Sequence, residues 1–101
     1  MLRGHLDGMI LSVLEREPLH GYAVMEALQA RSGGALDLPT GTLYPALRRL
    51  ERAGYLRSEW STVAGRRRRT YRLTAFGKKM LATERAEWRT FSALVNGVLG
   101  P

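Results

Sequence analysis

The stretch Leu38–Leu56, LPTGTLYPALRRLERAGYL, restricts the possible folds more than any other part of the chain. Leu43, Leu47 and Leu50 recur at helical spacing, and at about 100° per residue they share one side with Ala46 and Gly54. The opposite arc carries Thr42, Tyr44, Arg48, Arg49 and Arg52. A helix built this way packs its leucines on a core and turns threonine, tyrosine and arginine outward. That outer face suits a DNA groove and, equally, a solvated surface. Pro45 bears on where the helix starts, because proline is tolerated in the first turn, where its missing N–H costs nothing. A cap at Thr42 seats Pro45 in that turn, and a cap at Thr40 puts it at the margin. The helix ends at Ala53-Gly54.

Hydrophobic period places the other elements. Leu6, Met9, Ile10, Val13 and Leu14 form the core-facing stripe of a first helix that stops near Pro18. His20-Gly21-Tyr22 opens a second helix, with Tyr22, Met25 and Leu28 on one face and Tyr22 assigned to the core. Ser32-Gly33-Gly34 ends it, since glycine is favoured just past a helix C-terminus. After Gly54 the period becomes two. Leu56, Ser58 and Trp60 alternate with Arg57, Glu59 and Ser61, which puts Trp60 on the inward face of a strand and in the core. Ala64-Gly65 is a turn, and Arg69, Tyr71 and Leu73 share a face of the returning strand. Thr74 caps a fourth helix from about Ala75 to Val98.

That last helix has its own pattern. Leu81, Trp88 and Val95 are seven apart, and Glu84, Phe91 and Val98 follow three residues on. This is a coiled-coil seam with a polar defect at Glu84. A domain that already has three helices leaves so long a fourth helix little to pack on within one chain. Leu81, Trp88, Phe91, Val95 and Val98 are therefore assigned to a homodimer interface. The expected architecture is mainly α with a small β-hairpin. A winged helix-turn-helix covers residues 1–74, and a C-terminal dimerisation helix covers residues 75–101.

The charge pattern bears on partners. The 101 residues carry a net charge of +7. Residues 1–37 are net −2, residues 38–79 are net +9 and the remainder balances. Positive charge concentrated in one segment is the footprint of a polyanion. The basic segment lacks the strongly apolar face that a membrane surface would bind. The apolar N-terminal residues are interrupted by Asp7 and Glu15 and lack a small-residue cleavage site, so no signal peptide and a cytoplasmic location are expected. Cysteine is absent. His5 and His20 have no metal-ligand spacing, no phosphate-binding loop occurs, and no serine lies in a nucleophile elbow. No metal, no cofactor and no enzymatic activity are expected.

Arg66, Arg67, Arg68 and Arg69 occupy the hairpin tip and return strand. Their mutual repulsion is a cost that duplex phosphates would offset. Arg48 can reach a phosphate or a guanine edge. Thr42 and Tyr44 lie near the helix N-terminus, where a recognition helix touches bases. Tyr44 suits packing against the second helix equally well, and Arg49 and Arg52 can pair with nearby acids instead. Trp88, at the middle of the seam, either packs there or walls an apolar ligand slot.

These residues carry a resemblance. Leu19-His20-Gly21-Tyr22, Gly41-Thr42-Leu43-Tyr44-Pro45-Ala46-Leu47, Leu50-Glu51 with Gly54-Tyr55-Leu56, and Tyr71-Arg72-Leu73-Thr74 with Gly77 occur in the order of the PadR family of bacterial transcriptional regulators. The chain resembles the short form with one C-terminal helix. The resemblance implies a homodimer joined through that helix with help from the first. It implies third helices in the major groove of double-stranded DNA at an inverted-repeat operator, wings on the backbone or minor groove, and repression of neighbouring genes. It also implies a small aromatic or drug-like effector at the dimer interface, with Trp88 as its contact; Glu84, a departure from an all-apolar seam, suits a polar ligand contact and a solvated edge equally. The same basic face suits an RNA-binding or architectural module, and the last helix suits a protein adaptor.

Overall fold

The computed structural model describes residues 4–100. The elements run α1 (Gly4–Val13), β1 (Leu19–His20), α2 (Gly21–Arg31), α3 (Thr40–Arg52), β2 (Leu56–Val63), β3 (Arg66–Leu73) and α4 (Ala75–Leu99). The three strands form one antiparallel sheet in the order β1-β3-β2. Helices plus a winged hairpin are present as expected. β1 was not anticipated, because two residues carry no period. Leu19 and His20 are drawn into the sheet by pairing with Tyr71 and Thr70.

The core lies where the helices meet the base of the hairpin. Ile10, Leu11 and Leu14 meet Val24 and Leu28 of α2 and Leu43, Ala46, Leu47 and Leu50 of α3. Leu56, Tyr71 and Leu81 close it from the other side. Burial pushes the Tyr71 phenol above its ordinary pKa, with nearby Arg69 opposing it.

Two helix faces depart in part from expectation. In α1, Ile10 and Val13 are buried as expected, and so is Leu14 just beyond the helix, but Asp7 and Leu11 are buried with them and Met9 is exposed. The buried face includes a carboxylate, which hydrophobicity alone does not place there. In α2 the buried positions are Gly21, Val24 and Leu28, and Tyr22 is exposed instead of core. A glycine carries no hydrophobic signal, yet Gly21 leaves the room that the Tyr44 ring of α3 fills: a Cβ there would lie 2.5 Å from the ring.

Trp60 is the third correction. It is 55% exposed, not core. Leu56 on the same strand is buried, but the outer half of the hairpin is largely exposed.

Neither threonine caps α3. Pro39 takes the N-cap position without a side-chain bond, and its carbonyl accepts from Thr42 N at 2.9 Å and Leu43 N at 3.1 Å. Pro45 therefore lies inside the helix. It deprives the Gly41 carbonyl of a donor, and because Gly41 is exposed, water can supply one. At the other end Tyr55 N bonds Leu50 O and Gly54 N bonds Glu51 O, each at 3.0 Å. Gly54, at φ +86°, supplies the left-handed residue that this closure requires.

Thr74 caps α4 by accepting from Gly77 N at 2.9 Å and donates to Gly54 O at 2.6 Å. A Cβ on Gly77 would lie 2.2 Å from Tyr55 O, so the helix start is pressed onto the loop leaving α3. Leu81 is 2% exposed and belongs to this chain's own core, which removes it from the expected dimer seam. Beyond Leu81 the helix runs along α1 through Arg85 to Trp88, and Trp88, Phe91, Leu94, Val98 and Leu99 are all more than half exposed.

Candidate nucleic-acid interface

The outer side of α3 is a ridge. Tyr44, Arg48 and Arg52 follow one another at four-residue intervals and are all exposed, with Thr42 beside them. The buried leucines on the other side hold that ridge outward. The Tyr44 ring packs over Gly21 at the start of α2, and the side chain remains 37% exposed.

Arg49 does not join the ridge. Its guanidinium ion-pairs with Asp7 of α1, a carboxylate only 2% exposed. The intramolecular alternative expected for Arg49 is thus present, with the side chain 40% exposed. Arg52 has no ion pair among the described residues.

The four arginines of the wing do not form one patch. Alternation along β3 sends Arg67 and Arg69 to one face and Arg66 and Arg68 to the other. Arg68 Nη1 donates to His20 Nε2 at 2.7 Å. His20 Nδ1 accepts from Ala23 N at the start of α2. A neutral imidazole accepts at one nitrogen only, so the helix cap and the Arg68 contact compete. Arg69 Nε donates to Ser58 Oγ at 2.7 Å, and its Nη2 lies 3.6 Å from Glu51 on the last turn of α3. Arg66 and Arg67 are exposed at the tip. Arg72 pairs with Glu59 at 3.0 Å. Much of the wing's charge is therefore held by internal partners, and Arg66 and Arg67 remain most open to solvent.

A second feature lies away from this face. A groove of about 620 Å³ runs between α1 and α4, lined by His5, Met9, Leu81, Glu84, Arg85 and Trp88 among others. The structure thus brings Glu84 and Trp88 together. His5 meets the Trp88 ring edge-on at 5.0 Å. Arg85 donates to Glu15 through two bonds of 2.9 Å and thereby holds the Glu15 carboxyl below its ordinary pKa. Among the described residues no group of three or more His, Asp or Glu is placed to hold a metal ion, and no helix is long and apolar enough to cross a membrane.

The model of the transcriptional regulator PadR-like family matches residues 10–83, from the last turn of α1 into the first third of α4. The chain belongs to the PadR-like family of transcriptional regulators. A PadR family transcription regulator from Clostridium difficile superposes with a TM-score of 0.85 at 35% identity, covering 96% of this chain and 100% of that one. A transcriptional regulator from Clostridium thermocellum gives 0.87 at 28% identity, over 94% and 93% of the two chains. A transcriptional regulator of Mycobacterium tuberculosis is 48% identical over 60 residues, which is 59% of this chain and 53% of that protein. PadR-like proteins are regulators rather than enzymes, and the winged-helix fold of this chain is theirs.

Two contributors escaped sequence reasoning. Trp60 read as core, although the turn at Ala64-Gly65 sets a register that pairs it with Arg69. Asp7 read as an interruption of an apolar segment, and a carboxylate at a stripe position was the available signal.

Proposed function

We propose that this PadR-like chain is a homodimeric, cytoplasmic repressor that binds double-stranded DNA at an inverted-repeat operator. One observation carries the reading: the Tyr44–Arg48–Arg52 ridge projects from a helix whose other side is wholly buried. Thr42 and Tyr44 meet base edges, Arg48 meets a guanine or phosphate, and Arg52 meets the backbone. Arg66 and Arg67 of the wing add phosphate contacts, with Arg68 and Arg69 behind them. Two copies place their third helices about 34 Å apart, one turn of DNA.

The dimer is supported by the exposed apolar side of α4, where Trp88, Phe91, Leu94 and Val98 are each more than half exposed. Val95 is half-buried beside them. A flat aromatic effector fits the groove at Trp88 and Glu84. It weakens operator binding only if it prefers a dimer geometry in which the two α3 helices no longer match the groove spacing.

The test is an anisotropy titration on duplex DNA flanking the chain's own gene, against random duplex and structured RNA, with salt varied. Tight binding to the flanking duplex with a steep salt dependence is expected. Equal affinity for all three would overturn an operator-reading role, and a monomer at micromolar concentration in sedimentation would overturn the dimer.

A further inference from the structure

Trp60 is a large aromatic side chain more than half exposed on an arm of the protein that its own chain does not cover. Its surroundings are specific. In the hairpin register Trp60 faces Arg69 and Thr62 faces Arg67, which puts Trp60, Arg67 and Arg69 on one face. The Arg67 guanidinium lies 4.9 Å from the indole centroid and that of Arg69 lies 5.4 Å from it. Two cations share one ring.

The cluster is tied to the recognition helix. Ser58 Oγ donates to Glu51 Oε2 on α3 at 2.5 Å, and Arg69 donates to that same hydroxyl. A continuous line therefore runs from the last turn of α3 through Glu51, Arg69 and Trp60 to Arg67. Glu51 compensates part of the charge on Arg69, but no ion pair among the described residues includes Arg67. The ring's negative face offsets some of the remaining repulsion. It also fixes two long, otherwise mobile side chains at a set spacing.

We propose that Trp60 is a DNA-contact and positioning residue of the wing. Its indole packs on the sugar–phosphate backbone beside the groove that α3 enters, and it holds Arg67 and Arg69 toward phosphates of that strand. The partner is a duplex backbone, because the cluster is cationic, lies in the segment that holds the whole basic excess, and is braced from α3. The assignment rests on duplex binding through α3.

The chain has two tryptophans, Trp60 and Trp88, so Trp60→Phe leaves Trp88 as the sole emitter. Subtracting its acrylamide quenching from that of the unaltered protein isolates Trp60. Addition of the flanking duplex is expected to shield Trp60 from acrylamide. Trp60→Ala is expected to weaken duplex binding roughly tenfold and to flatten the salt dependence, although no charge has been removed. Trp60→Phe, which keeps a ring between the guanidiniums, retains most of both. The exposed position leaves thermal unfolding of Trp60→Ala unchanged, which separates a contact from a folding defect. If the protein binds duplex while Trp60 stays equally open to quencher and Trp60→Ala keeps its affinity and salt slope, the inference is overturned alone. If no duplex is bound at all, the proposed function falls and takes the inference with it.

Discussion

Asp7 of α1 and Arg49 of α3 form an ion pair in which the carboxylate is buried and the guanidinium is 40% exposed. The pair fixes α3 from the side, one residue's rotation of about 100° from the Arg48 ridge. It also joins the helix that carries the exposed ridge to the helix that lines the groove at Trp88.

The two halves of this pair differ in what their loss costs. Arg49→Met removes a charged hydrogen-bond donor from the buried Asp7 carboxylate, and a loss of about 1.5 kcal/mol in urea unfolding is expected. Asp7→Asn removes the charge while keeping a hydrogen-bonding side chain, and its cost is smaller. The reverse order would mean that the pair is not what compensates Asp7. Arg49→Gln is expected to leave the salt slope of duplex binding unchanged, because Arg49 is turned to Asp7.

Gly21 at the start of α2 lies under the Tyr44 ring of α3. Gly21→Ala pushes a methyl group into the Tyr44 ring and is expected to cost about 1 kcal/mol while shifting the tyrosine outward. Operator binding falls with it. In a Tyr44→Ala background the clash is gone, so the stability cost of Gly21→Ala disappears in the double-mutant cycle. Additive costs would place the strain elsewhere.

Glu15 and Arg85 link the segment after α1 to α4. Hydrogen bonding to Arg85 lowers the Glu15 pKa in the folded chain and raises that of Arg85. The stabilisation is therefore present above the ordinary carboxylate pKa and is lost as pH falls through the lowered folded value. Both side chains are more than two-fifths exposed, so solvent screening limits the coupling to less than about 1 kcal/mol. A double-mutant cycle of Glu15→Gln and Arg85→Met should show this coupling at neutral pH in low salt. It should vanish below the carboxylate range, and persistence there would assign it to packing.

The third helix, α3, was the most legible element. Leu43, Ala46, Leu47 and Leu50 are buried as their spacing requires, because an apolar stripe on a helix can be satisfied only by a core. The Thr74 cap and the Ala64-Gly65 turn were legible too, since each rests on chemistry within a few residues. What escaped was long-range. Whether Arg49 meets Asp7 or a phosphate depends on a neighbour 42 residues away. The burial of Leu81 depends on how far the body of the domain extends along α4. Trp60 and Leu56 share a strand face, and only the projection of the hairpin past the body separates their fates.

Local periodicity and turn chemistry thus determined by themselves that this chain is helical with a basic hairpin, where its elements lie, and that its charge is gathered in the middle. The PadR-like motifs were readable from the same string. Tertiary structure alone decided which polar groups compensate each other and which are left facing outward. An arginine's side chain is long and its partner is set by three-dimensional proximity, so sequence can count the cations but cannot say where each one is spent. Packing turned Arg49 inward, split Arg66–Arg69 between two faces, and left Tyr44, Arg48, Arg52 and the Trp60 cluster on the surface.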